Sequence, residues 1–205
     1  MDSKTLQYYD QKASEISTRY ESRSILFLHN LMERVFPESG RILELGSGTG
    51  RDSAFLEGSG RSIVCSDGTH SMLSELEKYH PELGSKAIQL RLPGPFPFPN
   101  HSFDGCLAVA VLMHLEREKI LESLSEIARI LVPGGVLFFS IPTRSRFLNE
   151  EHRDEDGRLY SPLLPREWEE LSSRAGFKSL ESFQNDDALQ REGISWTSFH
   201  CILSS

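Results

Sequence analysis

Residues 41–56 read "RILELGSGTGRDSAFL", and no other stretch limits the possible folds as strongly. A short apolar run stops at Gly46, glycines recur at 48 and 50, and a helix-forming segment follows. A strand, a turn without β-carbons and a helix form the first half of a βαβ unit. The same alternation continues down the chain. "SIVCSD" (62–67) closes on Asp67 and leads into helical "THSMLSELEKYH", with Thr69 placed to cap it. "KAIQLRL" supplies a third strand, and the proline-rich "PGPFPFPNHSF" after it is a loop. "DGCLAVAVLMHL" begins as a fourth strand. "EREKILESLSEIARIL" is a helix with Ile120, Leu124, Ile127 and Leu131 on one face. "PGG" breaks the chain before a fifth strand, "VLFFSI". Strands that are apolar throughout and alternate with helices predict a doubly wound α/β sheet, mostly parallel, with helices on both faces.

The two ends depart from this rhythm. The first 36 residues read as helical, with Ile25, Leu28, Leu31, Met32 and Val35 at helical spacing before Pro37 and Gly40 stop the run. "NEEHRDEDGR" is charged and reads as a mobile loop, and "PREWEELSSRAGF" as a helix opened by Pro165 and closed by Gly176. The strands "KSLESF" and "SWTSFHCIL" lie too close together for a crossover helix, which predicts a C-terminal antiparallel hairpin. The expected organisation is a helical segment over 1–36 and a single sheet domain over 37–205.

Composition narrows the function. Thirty acids against 22 lysines and arginines give a net charge of −8, which argues against broad nucleic-acid binding. Cys65, Cys106 and Cys201 are far apart and form no paired motif, and two sit in apolar runs, so reduced buried thiols are expected. "MDSKTLQYYDQKAS" carries no apolar export segment and no run approaches membrane-spanning length, which predicts a cytoplasmic protein without a membrane partner. His101, His114 and His152 lack tight spacing with acids or cysteines, so no metal is expected.

The glycine loop itself leaves its ligand open. A dinucleotide fingerprint phased from Gly46 fails at Arg51, but phased from Gly48 it reaches Ser53, which is small enough to pass, and Asp67 then suits ribose hydroxyls. No Lys-Ser or Lys-Thr follows, which removes a P-loop. Glu44, just before the loop, disfavours a pyrophosphate and suits an ammonium or sulfonium group.

The ordered set of segments resembles the class I S-adenosylmethionine-dependent methyltransferases. "ILELGSGTG" is similar to that family's first motif, "CSDGTHSML" to the second, "FPNHSFDGCLAVAVLMHL" to the loop and fourth strand. "EIARILVPGGVLFFS" and "LSSRAGFKSLES" follow in the family's order, so the likeness spans about residues 40–203. "YYDQKASEISTRYES", "GRDSAFL", "SDGTHSM" and "GRLY" are further similar to a subgroup of small-molecule or tellurite-resistance-like methyltransferases.

The resemblance implies a seven-stranded Rossmann-like sheet, S-adenosylmethionine as cofactor, a small-molecule acceptor and no nucleic-acid partner. Glu44, Gly46, Ser47, Gly48 and Gly50 would cradle the methionine part of the cofactor and Asp67 its ribose, with Gly68 and Met72 near the adenine. The family's acid after the third strand is missing, so the backbone of Arg91 or Leu92 is expected at the adenine instead. Ala108, Val109 and Ala110 end the fourth strand, where the family's methyl transfer takes place, and no Asn-Pro-Pro-Tyr-like motif is present.

His114 is placed to be a general base or acceptor ligand, or simply to pack at a helix start. Arg144 and Arg146, after the fifth strand, and Arg158 and Tyr160, in the charged loop, are candidate acceptor contacts, with solvated loop charges as the alternative. Tyr8, Tyr9 and Tyr20 lie on the N-terminal segment, which in many small-molecule family members folds over the cofactor as a lid. Two further readings compete: an NAD-linked oxidoreductase, for which no Tyr-x-x-x-Lys pair is present, and a non-catalytic binding module.

Overall fold

A computed structural model describes residues 1–144, 148–187, 191 and 193–204, with the side chain of Arg144 outside that set. The elements run α1 (Ser3–Glu21), α2 (Leu26–Val35), β1 (Arg41–Leu45), α3 (Arg51–Gly58), β2 (Ser62–Asp67), α4 (His70–Tyr79) and β3 (Ala87–Gln89). They continue with β4 (Phe103–Val109), α5 (Arg117–Ile130), β5 (Leu131–Arg144), α6 (Pro165–Arg174), β6 (Phe177–Asp186) and β7 (Ser195–Leu203).

The strands form one seven-stranded sheet in the order β3-β2-β1-β4-β5-β7-β6. β1 pairs parallel with β2 and β4, while β7 is antiparallel to both β5 and β6. The chain therefore winds outward from β1 to β3, returns, and starts again at β4 on the other side of β1. That reversal opens a crevice at the carboxyl ends of β1 and β4, the position where open α/β sheets bind ligands.

The apolar strand runs are explained by two core layers. Leu43, Cys106, Leu137 and Phe139 face one layer with Leu124, Ile127, Trp168 and Leu171 of α5 and α6. Their neighbours Ile42, Leu107, Val136 and Phe138 face the other, with Met32, Leu56 and Leu76 of α2, α3 and α4. Successive strand residues point to opposite faces, so a strand covered on both sides needs apolar residues at every position. The three cysteines are buried and free. Among the described residues no helix is long and apolar enough to cross a membrane.

Three details differ from expectation. β3 is confined to Ala87–Gln89, and the chain leaves the sheet before the proline-rich loop. Pro133-Gly134-Gly135 does not delay β5; the strand starts at Leu131 and absorbs the break as a register shift against β4. The charged segment is a hydrogen-bonded turn rather than a mobile loop. Arg153 Nη1 donates to Asp2 Oδ1 (3.0 Å) and to the Gly157 carbonyl (2.8 Å), and Leu159 N–H donates to Thr5 Oγ1 (3.0 Å). These bonds tie the segment to the first turn of α1, whose N-cap is Asp2.

Candidate active site

The β1–α3 turn forms the floor of the crevice. Gly46 adopts φ +66°, and a β-carbon there would lie 2.7 Å from the Val111 side chain, so glycine is required on both counts. A β-carbon on Gly48 would meet only Met72 Cε, at 3.6 Å, which leaves this stretch of backbone bare to the crevice. Ser47 Oγ is buried with no hydrogen-bond partner. Glu44 is 2 % exposed and accepts a hydrogen bond from the Ser53 hydroxyl. Burial, and then the neighbouring Asp52, push its carboxyl well above the usual carboxylate range. Asp52 moves the opposite way: burial opposes its charge, but His29 Nε2 (3.0 Å) and Arg51 outweigh burial and hold it low.

Asp67, at the end of β2, accepts from Gly48 N–H (3.2 Å), Thr69 N–H (2.9 Å) and Thr69 Oγ1 (3.1 Å). Burial still raises its pKa despite those bonds. Gly68, Met72, Leu90, Leu92 and Val111 complete a narrow cavity around it, about 700 Å³ including space open to solvent. One charged hydrogen-bond acceptor set among apolar walls fits a ribose beside a flat base. The bare Gly48 backbone and the unpaired Ser47 hydroxyl fit the polar end of the same ligand.

A second cavity, about 1000 Å³ on the same measure, shares Tyr9, Tyr20, Gly46, Gly48, Val109 and Ala110 with the first. Its outer walls come from distant parts of the chain: Arg158 and Tyr160 of the charged turn, and Asn185, Asp187, Arg191, Trp196 and Ser198 of the hairpin. At the junction Ala110 takes φ +54°, a strained value for a residue with a β-carbon. Its N–H is held by Ser140, through the carbonyl and through Oγ, both at 3.2 Å.

His114 lies behind this junction, 1 % exposed. Its Nδ1 is 2.6 Å from the Leu159 carbonyl, which can only accept, so Nδ1 carries the proton. Nε2 is then an acceptor for the Tyr9 hydroxyl at 3.0 Å. Burial lowers the imidazole pKa to about 4, and raises that of Tyr9 well above its ordinary value. The pair is a neutral strut holding α1 over the crevice, and His114 itself lines the Asp67 cavity.

Among the other expected residues, Glu44, Gly46, Ser47, Gly48, Asp67, Gly68, Met72, Leu92, Tyr9, Tyr20, Arg158 and Tyr160 line one cavity or both. Three do not. Gly50 turns toward the core, where an added β-carbon would meet Leu76 at 2.9 Å. Ala108 is fully buried, because the strand alternation gives the crevice to Val109. Arg91 turns its side chain outward, with Nε donating to the Gly68 carbonyl (3.2 Å). Arg144 lies on β5 opposite Ser195, its side chain outside the described residues, as is Arg146 altogether. The hairpin residues Asn185, Asp187, Arg191, Trp196 and Ser198 were missed. The available signal was the period of two in "SWTSFHCIL", which puts Trp196 and Ser198 on one face.

A family model described as "Methyltransferase domain" matches residues 43–139. The chain is 31 % identical over 166 residues to the tRNA N(3)-cytidine methyltransferase METTL2 of Danio rerio, covering 70 % of this chain and 46 % of that protein. The chain thus spans less than half the length of that curated relative. Among solved structures, the 1,6-didemethyltoxoflavin-N1-methyltransferase of Burkholderia thailandensis, bound to its named ligand and S-adenosylhomocysteine, superposes with a TM-score of 0.71 at 17 % identity, covering 100 % of this chain and 92 % of that one. The [4+2]-cyclase SpnF superposes at 0.77 with 15 % identity, covering 97 % and 95 %. At such identities the superpositions establish the fold, and the cyclase illustrates that one fold hosts different chemistry. Residues 43–139 thus match a methyltransferase domain, and the chain as a whole shares the fold of a methyltransferase that binds S-adenosylhomocysteine.

Proposed function

We propose that the protein transfers the methyl group of S-adenosylmethionine to a small-molecule acceptor held in the cavity between Tyr9, Arg158 and the C-terminal hairpin. One observation carries the reading: two cavities of different character meet at Val109 and Ala110, where the sheet reverses. One has the Asp67 carboxylate among apolar walls, the other tyrosines and arginines together with Glu44, Asp52 and Asp187.

Within this reading Asp67 accepts hydrogen bonds from ribose hydroxyls, while Leu90, Leu92 and Met72 enclose the base. The Gly46–Gly48 backbone and Ser47 hold the amino-acid end, with the Glu44 carboxyl beneath the turn. Bound there, the cofactor supplies a methyl group already activated on a sulfonium. The chain then has to align the acceptor and keep water out. Tyr9 and Tyr20 cover the junction from above, and α1 and α2, residues 1–36, serve as a lid over it. An acceptor whose lone pair is already available, such as an amine, an aromatic nitrogen or a thiolate, needs no further proton removal. The three buried thiols are in keeping with a cytoplasmic setting.

The METTL2 relative motivates a nucleic-acid acceptor as the second reading. A net charge of −8 and the burial of Arg158 weigh against it, because phosphate backbones are bound by basic surface. A screen of cell metabolites and of tRNA with methyl-labelled cofactor decides between them. The expected outcome is label in a small molecule; label confined to tRNA would overturn the reading.

A further inference from the structure

Resting on the methyltransferase reading, we propose that the acceptor carries an oxyanion, a carboxylate or phosphate monoester, bound by Arg158, Arg191 and the Ser198 hydroxyl on the hairpin side of the cavity. The inference starts from which charges in that cavity are already committed. Glu44 is taken by Ser53 and lies under the glycine turn. Asp52 is taken by His29 and Arg51. Asp187 accepts from Arg191 Nε (2.9 Å), Arg191 Nη2 (2.7 Å) and Trp196 Nε1 (2.8 Å). Asp187 thus has both oxygens occupied, while Asp52 takes His29 and Arg51 on Oδ1 alone.

The guanidiniums are differently placed. Arg158 is only 8 % exposed and cannot lose its proton. Asp154 Oδ2 fixes it through Nε (2.9 Å) and Nη2 (2.6 Å), and the Tyr8 ring packs against its plane at 4.5 Å. Arg191 is fixed in the same way through the edge that faces Asp187. A guanidinium has five N–H donors, and each aspartate occupies one edge only. The aspartates thus orient the arginines without using them up, and Tyr160, 5.6 Å from Arg158, stands beside them.

Ser198 is the independent observation. It is fully buried, lines this cavity, and its Oγ has no hydrogen-bond partner. Buried hydroxyls are normally paired, so an unpaired one facing a cavity marks a place for a ligand atom. Strand register locates it. Val109 of β4 lies beside Ser140 of β5, and Ser140 beside Ser198 of β7. One row across the sheet thus leads from the junction of the cavities to a free donor. An acceptor whose nucleophile lies at the junction would reach the hydroxyl and the arginines with its far end.

The test uses the full chain saturated with S-adenosylhomocysteine and follows binding of benzoate, phenyl phosphate, benzamide and benzylamine by ligand-observed NMR. Benzoate or phenyl phosphate should bind about tenfold tighter than benzamide or benzylamine, and the stronger of the two identifies the oxyanion. Arg158→Gln and Arg191→Gln should each remove most of that preference while S-adenosylhomocysteine affinity stays within about twofold. Ser198→Ala, a substitution the fold should accept, should reduce the preference without removing it. Equal binding of benzoate and benzamide, preferred binding of benzylamine, or tighter binding of a cytidine oligonucleotide than of either anion would overturn the proposal. Should Arg158→Gln fail to fold, the wild-type panel with Arg191→Gln and Ser198→Ala decides alone. Failure of the wild type to bind S-adenosylhomocysteine would instead defeat the methyltransferase reading beneath it.

Discussion

The two cavities that meet at Ala110 are built by opposite means. The Asp67 cavity is centred on consecutive turns at the ends of β1 and β2, with three glycines, Gly46, Gly48 and Gly68, in its lining. The Arg158 cavity shares the β1–α3 turn and adds side chains from α1, the turn after β5 and the terminal hairpin, as far apart in sequence as Tyr9 and Ser198. A site made of backbone tolerates few substitutions, because its shape depends on dihedral angles that one residue type adopts. A site made of side chains on separate elements can change its ligand while the sheet stays intact. The first suits a ligand common to many proteins, the second one particular to this chain.

Substitutions can break that contrast. Gly46→Ala forces a β-carbon against Val111 at a left-handed φ, and should cost about 2–4 kcal/mol of cofactor binding, or roughly 30- to 800-fold. Calorimetry with S-adenosylhomocysteine measures this; a loss below tenfold would mean that the turn is less constrained than its backbone implies.

The strut between the cavities is open to a pH test. His114 is depressed from 6.5 to about 4 by burial, so the unfolded chain takes up the extra proton. Its contribution, on the order of 2–3 kcal/mol, is fully present above pH 6.5 and is lost as pH falls toward 4. Denaturant titrations across that window should show declining stability, with a flatter profile in His114→Gln; identical slopes would remove His114 from the account.

Asp67→Ala should weaken cofactor binding by about 1–3 kcal/mol, since the same carboxylate also holds Gly48 and Thr69. Tyr9→Phe is the mildest. It removes the hydrogen bond to His114 and should cost about 1 kcal/mol, read in thermal unfolding, with a small effect on both ligands because Tyr9 borders both cavities.

The same contrast explains what could be read in advance. "ILELGSGTG" and "SIVCSD" each carry strand, turn and a cavity-lining residue within a few positions, so local patterning was enough to place Glu44, Gly48 and Asp67 at the crevice. It failed at Ala108 and Gly50, where the choice between crevice and core depends on the pleat and on a single dihedral. Arg158 and Tyr160 were legible as polar residues in a loop, but their burial depends on bonds from Arg153 to Asp2 and from Leu159 to Thr5 across most of the chain. Nothing local marks Ser198 as unpaired until the β5–β7 register sets it beside Ser140.

The central claim is that the glycine-loop crevice binds S-adenosylmethionine and not a dinucleotide. Calorimetric titration of S-adenosylhomocysteine and, separately, NADH into the wild-type protein and Asp67→Ala tests it most directly. The account predicts one-to-one binding of S-adenosylhomocysteine, weakened by the substitution, and no heat of binding from NADH. Saturable binding of NADH with none of S-adenosylhomocysteine would contradict it.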